Sequence, residues 1–459
     1  MLRRKIDTEL YRWRGSHSHG PLIIAGARRV GKTTTVRELG KLYEHFVELD
    51  LERYANHRAM LADSPDPQTL IGRIRDEYGR DSVVKDRTLI LLDEILACPG
   101  VWATLEKLIG FRDCDVIATA SLPGMVRDRI PDGVGYMEMG PLDFEEFLWA
   151  RGISEAIIAD GVWKIRARRP LDDIQMDNAG KQMREYIAVG GMPQAVNEYI
   201  VTHSIDDVHR VHGEMITVFR GIAGIYADPG IRERIYECYE SVPEQLASGC
   251  GRFFFSKIKT HDDRKSSYGA REYGPAIRWL TDAGFCIRCD VTDDTSTDGS
   301  GDLFKLYIAD SGVMNSMYPR SAMRDILDPS SPVSETPGAE NMLACMVARF
   351  GDGMLRYRRR STEVDFLTYR GNNLVGIDIR SGNNPKSKAL ETLLSAGKID
   401  RAVRFWDGNL SIGSNGVERY PLFTAGLLDT VLGPVPVADS RRGGGTAPEA
   451  RPPARANTL

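Results

Sequence analysis

The sequence predicts an α/β protein in several parts: a parallel sheet within residues 1–150, a mainly helical middle, and a second α/β unit before the C-terminal end. Three observations predict it. Short apolar runs without Gly or Pro alternate with helical periodicity through the first 150 residues, the pattern of a sheet buried on both faces. Helical spacing then takes over from about 151 to 250. Strand-like runs flanked by helices return after residue 335.

Leu22-Ile23-Ile24-Ala25 ends in Gly26, and a helix follows from Lys32 with Val36, Leu39 and Tyr43 at helical spacing. Val47–Leu51, Thr88–Leu92 and Val116–Thr119 read as further strands. Trp102, Leu105, Leu108 and Ile109 mark a helix between the last two. After the helical region 151–250 comes a region 251–334 that opens with Arg252–Ser256. Its helix carrying Ile277, Trp279 and Leu280 precedes strand-like runs near Phe285 and from Leu303 to Ile308. Helix, helix and hairpin in that order make a winged-helix-like region, with residues 290–302 as the wing tip. That segment is rich in Asp but has no Glu at the twelfth position of a calcium loop, so it reads as a solvated turn. Residues 335–432 hold a helix from Ala339, strands at Glu363–Tyr369 and Leu374–Ile379, and a helix from Lys388. The tail 433–459 is rich in Pro, Gly and Ala and is expected to be disordered.

Composition narrows the function classes. In 459 residues, 60 Lys+Arg oppose 64 Asp+Glu, which excludes a general polybasic coat for nucleic acid. Apolar residues at 42% suffice to bury cores, yet no run approaches the ~20 residues of a membrane helix. MLRRKIDTELYRW is charged where a signal peptide is apolar, and seven scattered cysteines form no disulfide framework. A cytoplasmic chain with no membrane partner is the expectation.

Gly26-Ala27-Arg28-Arg29-Val30-Gly31-Lys32-Thr33 satisfies G-x-x-x-x-G-K-[ST] between a strand and a helix, and Thr34 continues it. Glycines let the backbone wrap phosphate oxygens, and the helix N-terminus adds positive potential. The N-terminal sheet is therefore expected to be that of a P-loop NTPase, with ATP and Mg²⁺ as cofactors. Lys32 would reach the β- and γ-phosphates and the Thr33 hydroxyl would ligate Mg²⁺. Asp93 and Glu94 close an apolar strand, where ligands bind in open α/β sheets. Asp93 would hold Mg²⁺ through its water shell and Glu94 would polarise the attacking water; the plainer alternative is an acidic pair at a helix N-terminus. Ser121 or Thr119, ending the next strand, is placed to sense the γ-phosphate, or is a turn hydroxyl. Arg28 and Arg29, within the loop, read as solvated surface arginines, with contact to a neighbouring subunit or a product phosphate as the alternative, and no trans-acting activating arginine is visible.

With these pieces the chain resembles the prokaryotic AAA-type ATPases of the AAA+ superfamily that carry a C-terminal domain of unknown function. The resemblance covers about residues 3–430. It rests on RKIDTELYRW, GARRVGKTTT, LLDEILACP, ATASLPG, MGPLDFEEFLWARG, YIAVGGMPQAV, SVPEQL, FKLYIADSGVM, AENMLACMVAR, STEVDFLTYRG and GIDIRSGNNPKSKAL. It implies the same roles for Lys32, Thr33, Asp93 and Glu94. Leu96 stands where the family usually has Gln. Pro141–Phe147 reads as a turn into a helix whose Phe144, Phe147 and Leu148 pack on the ATPase core.

Glu340 shares a helix face with Leu343, Ala344 and Val347. Asp365 lies within an alternating strand, and Asp378 and Arg380 end the next strand on one side. A helix Glu, a strand Asp and a D-x-basic pair are the parts of a PD-(D/E)XK nuclease core, and the family's last domain resembles that restriction-endonuclease-like α/β fold. Active versions hold Mg²⁺ on the acids and carry a Lys where this chain has Arg380, whose guanidinium cannot take part in proton traffic. Lys386 and Lys388 follow closely. The site reads as a degenerate, structural or docking version, with a metal-dependent DNA nuclease as the alternative.

Two basic clusters invite DNA as a partner: Arg356-Tyr357-Arg358-Arg359-Arg360, with tyrosine available to stack, and Lys257, Lys259, Arg264, Lys265 and Arg271. Each is also readable as a solvated face. Cys286 and Cys289 lack a second pair at zinc spacing, and His209 and His212 read as surface residues. The function expected is Mg²⁺-dependent ATP hydrolysis whose nucleotide state drives the accessory domains. The alternative is an ATP-gated DNA-binding regulator that hardly turns over. A protein client and the oligomeric state are open.

Overall fold

A computed structural model describes residues 2–16, 19–259, 269–293, 303–359, 362–380 and 388–433. Arg264, Lys265, Arg360, Lys386, most of the 290–302 turn and the tail from 434 lie outside the described residues.

The first sheet holds β1 (Leu22–Ala25), β2 (His45–Asp50), β3 (Thr88–Asp93), β4 (Asp115–Ala120) and β5 (Gly135–Glu138) in the order β2-β3-β4-β1-β5. Every pairing is parallel. β1 and β3 are buried at each position, as apolar runs covered by helices on both faces must be. β5 has no such run; its Gly-Tyr-Met-Glu is half-exposed at the sheet edge, so periodicity does not announce it. The C-terminal ends of β1, β3 and β4 converge on the start of the Lys32–Gly40 helix.

Helices then run from Glu155–Arg166 through Asp173–Val189, Pro193–Thr202, Ile205–Tyr226 and Arg232–Ala247 to Ala270–Asp282. The Phe144–Ala150 helix is capped by Asp143, whose carboxylate accepts from the Glu146 amide. Its Phe144 and Phe147 rings meet Tyr186 of the Asp173–Val189 helix at 5.5 and 5.3 Å, so they join the N-terminal unit to the helical region.

The second sheet has the order β12-β13-β11-β10-β9-β8-β6-β7. Its strands are β6 (Cys286–Thr292), β7 (Phe304–Ile308), β8 (Asp352–Arg359), β9 (Thr362–Arg370), β10 (Asn373–Ile379), β11 (Arg401–Trp406), β12 (Ser411–Ile412) and β13 (Glu418–Pro421). β6 and β7 are the antiparallel hairpin expected of a wing, but β6 also pairs in parallel with β8. The hairpin therefore does not stand apart; it finishes one edge of the C-terminal sheet. β8 itself escaped the sequence reading because its arginines look like a surface run.

His212 departs from its surface assignment. It lies on the Ile205–Tyr226 helix among Val208, Val211, Met215 and Phe219, and it is fully buried. Burial pushes its imidazole down to about 3, with His209 adding to the shift and only the Val189 backbone opposing it. Among the described residues, no helix is long and apolar enough to cross a membrane.

Candidate nucleotide site

The loop after β1 is shaped by its two glycines. A Cβ on Gly26 would lie 2.0 Å from the Met139 carbonyl oxygen, and Gly31 has φ of 105°, which side-chain-bearing residues rarely adopt. Gly31 caps the Lys32–Gly40 helix, whose first turns receive Thr35 N–H on the Gly31 carbonyl at 2.9 Å. A buried arginine outside the loop holds it: Arg4 donates to the carbonyls of Val30 (2.8 Å) and Gly140 (2.7 Å). Sequence reasoning missed Arg4, because only the fold brings the residue that caps the Lys5–Gly15 helix against the loop.

Lys32 is buried, and its Nζ donates to the carbonyls of Gly26 (2.9 Å) and Ala27 (3.2 Å) and to Ser121 Oγ (3.1 Å). Burial lowers its ammonium from the ordinary lysine value, partly offset by Glu94 and Asp93. Ser121 in turn donates to Glu94 Oε1, so the three expected catalytic residues form one chain. Thr33 Oγ1 donates to Asp93 Oδ1 at 2.8 Å, and Thr119 Oγ1 donates to the same oxygen at 2.5 Å. Burial raises the Asp93 carboxyl while both hydroxyls pull it back. Hydroxyl and carboxylate oxygens are the donors Mg²⁺ takes, and a buried carboxylate favours a cation beside it, so Thr33 and Asp93 fit that ion.

Glu94 sits at φ 57°, ψ 59°, a left-handed conformation that is unusual without glycine. Its amide donates to Thr119 Oγ1 at 3.0 Å, which helps hold the turn. The turn aims the carboxylate at Ser121 rather than along the next helix, where a simple N-terminal acid would point. Thr34 is exposed and lies outside this cluster. Arg29 has φ 69° and donates to Gln194 at 3.2 Å. Arg28 is no solvated arginine: both terminal guanidinium nitrogens bind Glu52, one of them at 2.7 Å, and Tyr226 OH donates to Glu52 Oε1 at 3.1 Å. Glu52 and Tyr226 are distant in sequence from the loop and from each other, so no motif signals them.

The C-terminal constellation also assembles. Glu340, on the Pro337–Phe350 helix, accepts from Lys305 (2.6 Å), Tyr307 (2.8 Å) and Arg356 (3.1 Å). Arg356 also binds Glu363 at 2.8 Å and Asp365 at 3.1 Å. Arg380 pairs with Asp365 at 3.1 Å, and Asp378 accepts the Asp365 amide at 3.2 Å while facing Arg404. Burial alone would raise the Glu340 carboxyl; Lys305 and Arg356 outweigh it and bring it down to about 2. The four expected residues are thus neighbours, and the Arg356 guanidinium lies between the carboxylates of Glu340 and Asp365. Among the described residues, no group of three or more His, Cys, Asp or Glu side chains is arranged to hold a metal ion. Arg356 and Tyr357 are both buried, which corrects their reading as a phosphate-binding and stacking surface.

Residues 18–148 match the family model described as an AAA domain. That is the match covering the loop and its acids. Residues 180–324 match the model of a domain of unknown function, DUF8612, which runs from within the Asp173–Val189 helix past β7 into the Arg320–Leu327 helix. No curated protein matches the chain. Among solved structures, a Walker-type ATPase of Pyrococcus abyssi is 12% identical and aligns over 69% of this chain and 96% of its own, with a TM-score of 0.42. PCH-2 of C. elegans is 16% identical over 42% of this chain and 58% of its own, TM-score 0.25. A signal transduction ATPase with numerous domains and a tetratricopeptide repeat sensor, from Pyrococcus horikoshii, is 12% identical over 76% and 45%, TM-score 0.28. Scores this low add nothing to what the AAA-domain match and the parallel sheet already say.

Proposed function

We propose that the chain binds ATP with Mg²⁺ in the 26–33 loop and hydrolyses it to ADP and phosphate. The observation that carries this reading is the double contact across the sheet: Thr33 on Asp93, and Lys32 through Ser121 to Glu94. The AAA-domain match over residues 18–148 supports it.

Lys32 holds loop carbonyls, and phosphate oxygens would take the places of those weaker acceptors. Thr33 and Asp93 would hold Mg²⁺, which would neutralise the β- and γ-phosphate charge. Glu94 orients a water and takes its proton as the water oxygen bonds to the γ-phosphorus and the bond to the β–γ bridging oxygen breaks. Ser121 sits between the lysine and the base, where it can report an arriving γ-phosphate to both.

Fluorescent-nucleotide titration and phosphate release test the reading. Lys32→Ala should lose roughly a hundredfold in ATP affinity, about 2.7 kcal/mol. Glu94→Gln should still bind ATP while turnover falls by about two to four orders of magnitude. Undiminished ATP affinity in the Lys32→Ala protein overturns the assignment. In the same reading, the C-terminal acids are a structural ion cluster, because cations of the chain itself neutralise them.

A further inference from the structure

The 26–33 loop carries a cation that the hydrolysis scheme above leaves unused. Arg28 lies between Gly26 and Lys32 in the stretch of backbone that wraps the phosphates. Its guanidinium is bound end-on to both carboxylate oxygens of Glu52, just beyond β2, and is about a quarter exposed at 28%. Glu52 also accepts from Tyr226, the last residue of the Ile205–Tyr226 helix. A P-loop arginine, an acid from the sheet's edge and a phenol from the helical region thus form one bridge.

Three physical points bear on that bridge. A guanidinium presents five donors in a planar fork, and Glu52 engages only part of it. A triphosphate brings far more negative charge to the loop than one carboxylate, so it competes with Glu52 for the same fork. Arg28 shares its loop with Lys32, whose ammonium donates to Ser121 and is linked through it to Glu94.

We propose that Arg28 is a cis-acting arginine that contacts the γ-phosphate of bound ATP, held off it in the resting chain by Glu52 and Tyr226. This rests on the ATP reading above and deepens it in two ways. It names the group that meets the charge accumulating on the γ-phosphoryl oxygens as the β–γ bond breaks, a role worth orders of magnitude in turnover elsewhere in phosphoryl transfer. It also supplies a route for nucleotide state into the helical region: when Arg28 leaves Glu52, the acid keeps only Tyr226 and the end of the Ile205–Tyr226 helix is released from the loop.

The test uses the full chain and the variants Arg28→Ala, Arg28→Lys, Glu52→Gln and Tyr226→Phe. The readouts are ADP and ATP affinity, the tightening of ADP binding by aluminium fluoride, phosphate release, and hydrogen exchange near residues 222–226. Arg28→Ala should keep ADP affinity within about threefold, lose the aluminium fluoride tightening, and slow turnover at least about a hundredfold. Arg28→Lys should recover only part, because a point charge replaces the fork. Glu52→Gln and Tyr226→Phe should each raise turnover severalfold, and hydrogen exchange near residues 222–226 should quicken with ATP in the unaltered chain. If Arg28→Ala keeps the tightening, or loses ADP and ATP affinity in step with turnover, the arginine only supports the loop and the proposal fails. If the unaltered chain binds no nucleotide at all, the ATP reading falls, and this proposal with it; nucleotide binding without any effect of Arg28 sinks the present inference alone.

Discussion

A single hydroxyl has two duties beside the acids. Thr119 Oγ1 donates to Asp93 and accepts the amide of Glu94, whose backbone is in the left-handed region. Thr119→Val keeps the shape and removes both bonds, leaving a buried amide without its acceptor. The expected cost is about 1–3 kcal/mol, read from urea unfolding, with a larger loss in turnover than in ATP affinity because Glu94 loses its aim. His212 makes a pH prediction. Its buried imidazole stays neutral in the fold down to about pH 3, whereas the unfolded chain takes up the proton near 6.5. The unfolded state therefore binds more protons across that window, and stability present above pH 6.5 is lost as pH falls, by up to about 1.4 kcal/mol per unit. His212→Leu should flatten the acid limb between pH 6.5 and 4 in denaturant titrations. An unchanged slope in the variant would mean that other groups govern the acid limb.

Turns, more than helices, join the elements here. After the Asp173–Val189 helix the chain doubles back through Gly190 and Gly191, and the Leu142 amide donates to the Gly191 carbonyl at 2.6 Å. A Cβ on Gly191 would lie 2.0 Å from the Leu142 carbonyl oxygen, a backbone atom that cannot swing aside. Asp310 completes the joint by accepting the Gly191 amide at 2.7 Å and that of Val313 at 2.9 Å. Gly191→Ala should lower the melting temperature by several degrees, the equivalent of about 2–4 kcal/mol, while Gly161→Ala in a helix with open space around it should not. The elements themselves were largely legible. β1 and β3 declare themselves by unbroken apolar runs, and the Pro337–Phe350 helix by its spacing. β5, β8 and the run β11 to β13 did not: β5 is a short, half-exposed edge strand, and β8 is rich in arginines that look like surface.

Across the whole molecule, charge neutralisation over long separations ties the second sheet together. Lys305 on β7 and Arg356 on β8 meet Glu340 from a helix and Asp365 from β9. Removing one partner from such a buried set leaves an uncompensated charge, so Arg356→Met should destabilise by about 3–5 kcal/mol, measured by denaturant midpoint. Pairing it with Glu340→Gln should recover part of that loss, since one stranded carboxylate is then neutral. Equal stability of Arg356→Met and the unaltered chain would show that the cluster does not hold the sheet. The same scale explains why the acids could be located from sequence while their state could not: Glu340, Asp365 and Asp378 follow from periodicity, but their neutralising cations come from other strands.

The sequence by itself determined the glycine-bounded loop at 26–33, the acidic strand end, the parallel first sheet and the positions of the C-terminal acids. Each is written in contiguous residues whose spacing and backbone demands are local. Only the tertiary structure decided what those groups face: Arg4 behind the loop, Glu52 and Tyr226 on Arg28, Arg356 between two carboxylates, and the hairpin joined to β8. The reason is that Coulomb attraction and strand pairing act through space between residues far apart in the chain, and no local pattern records which partner is chosen.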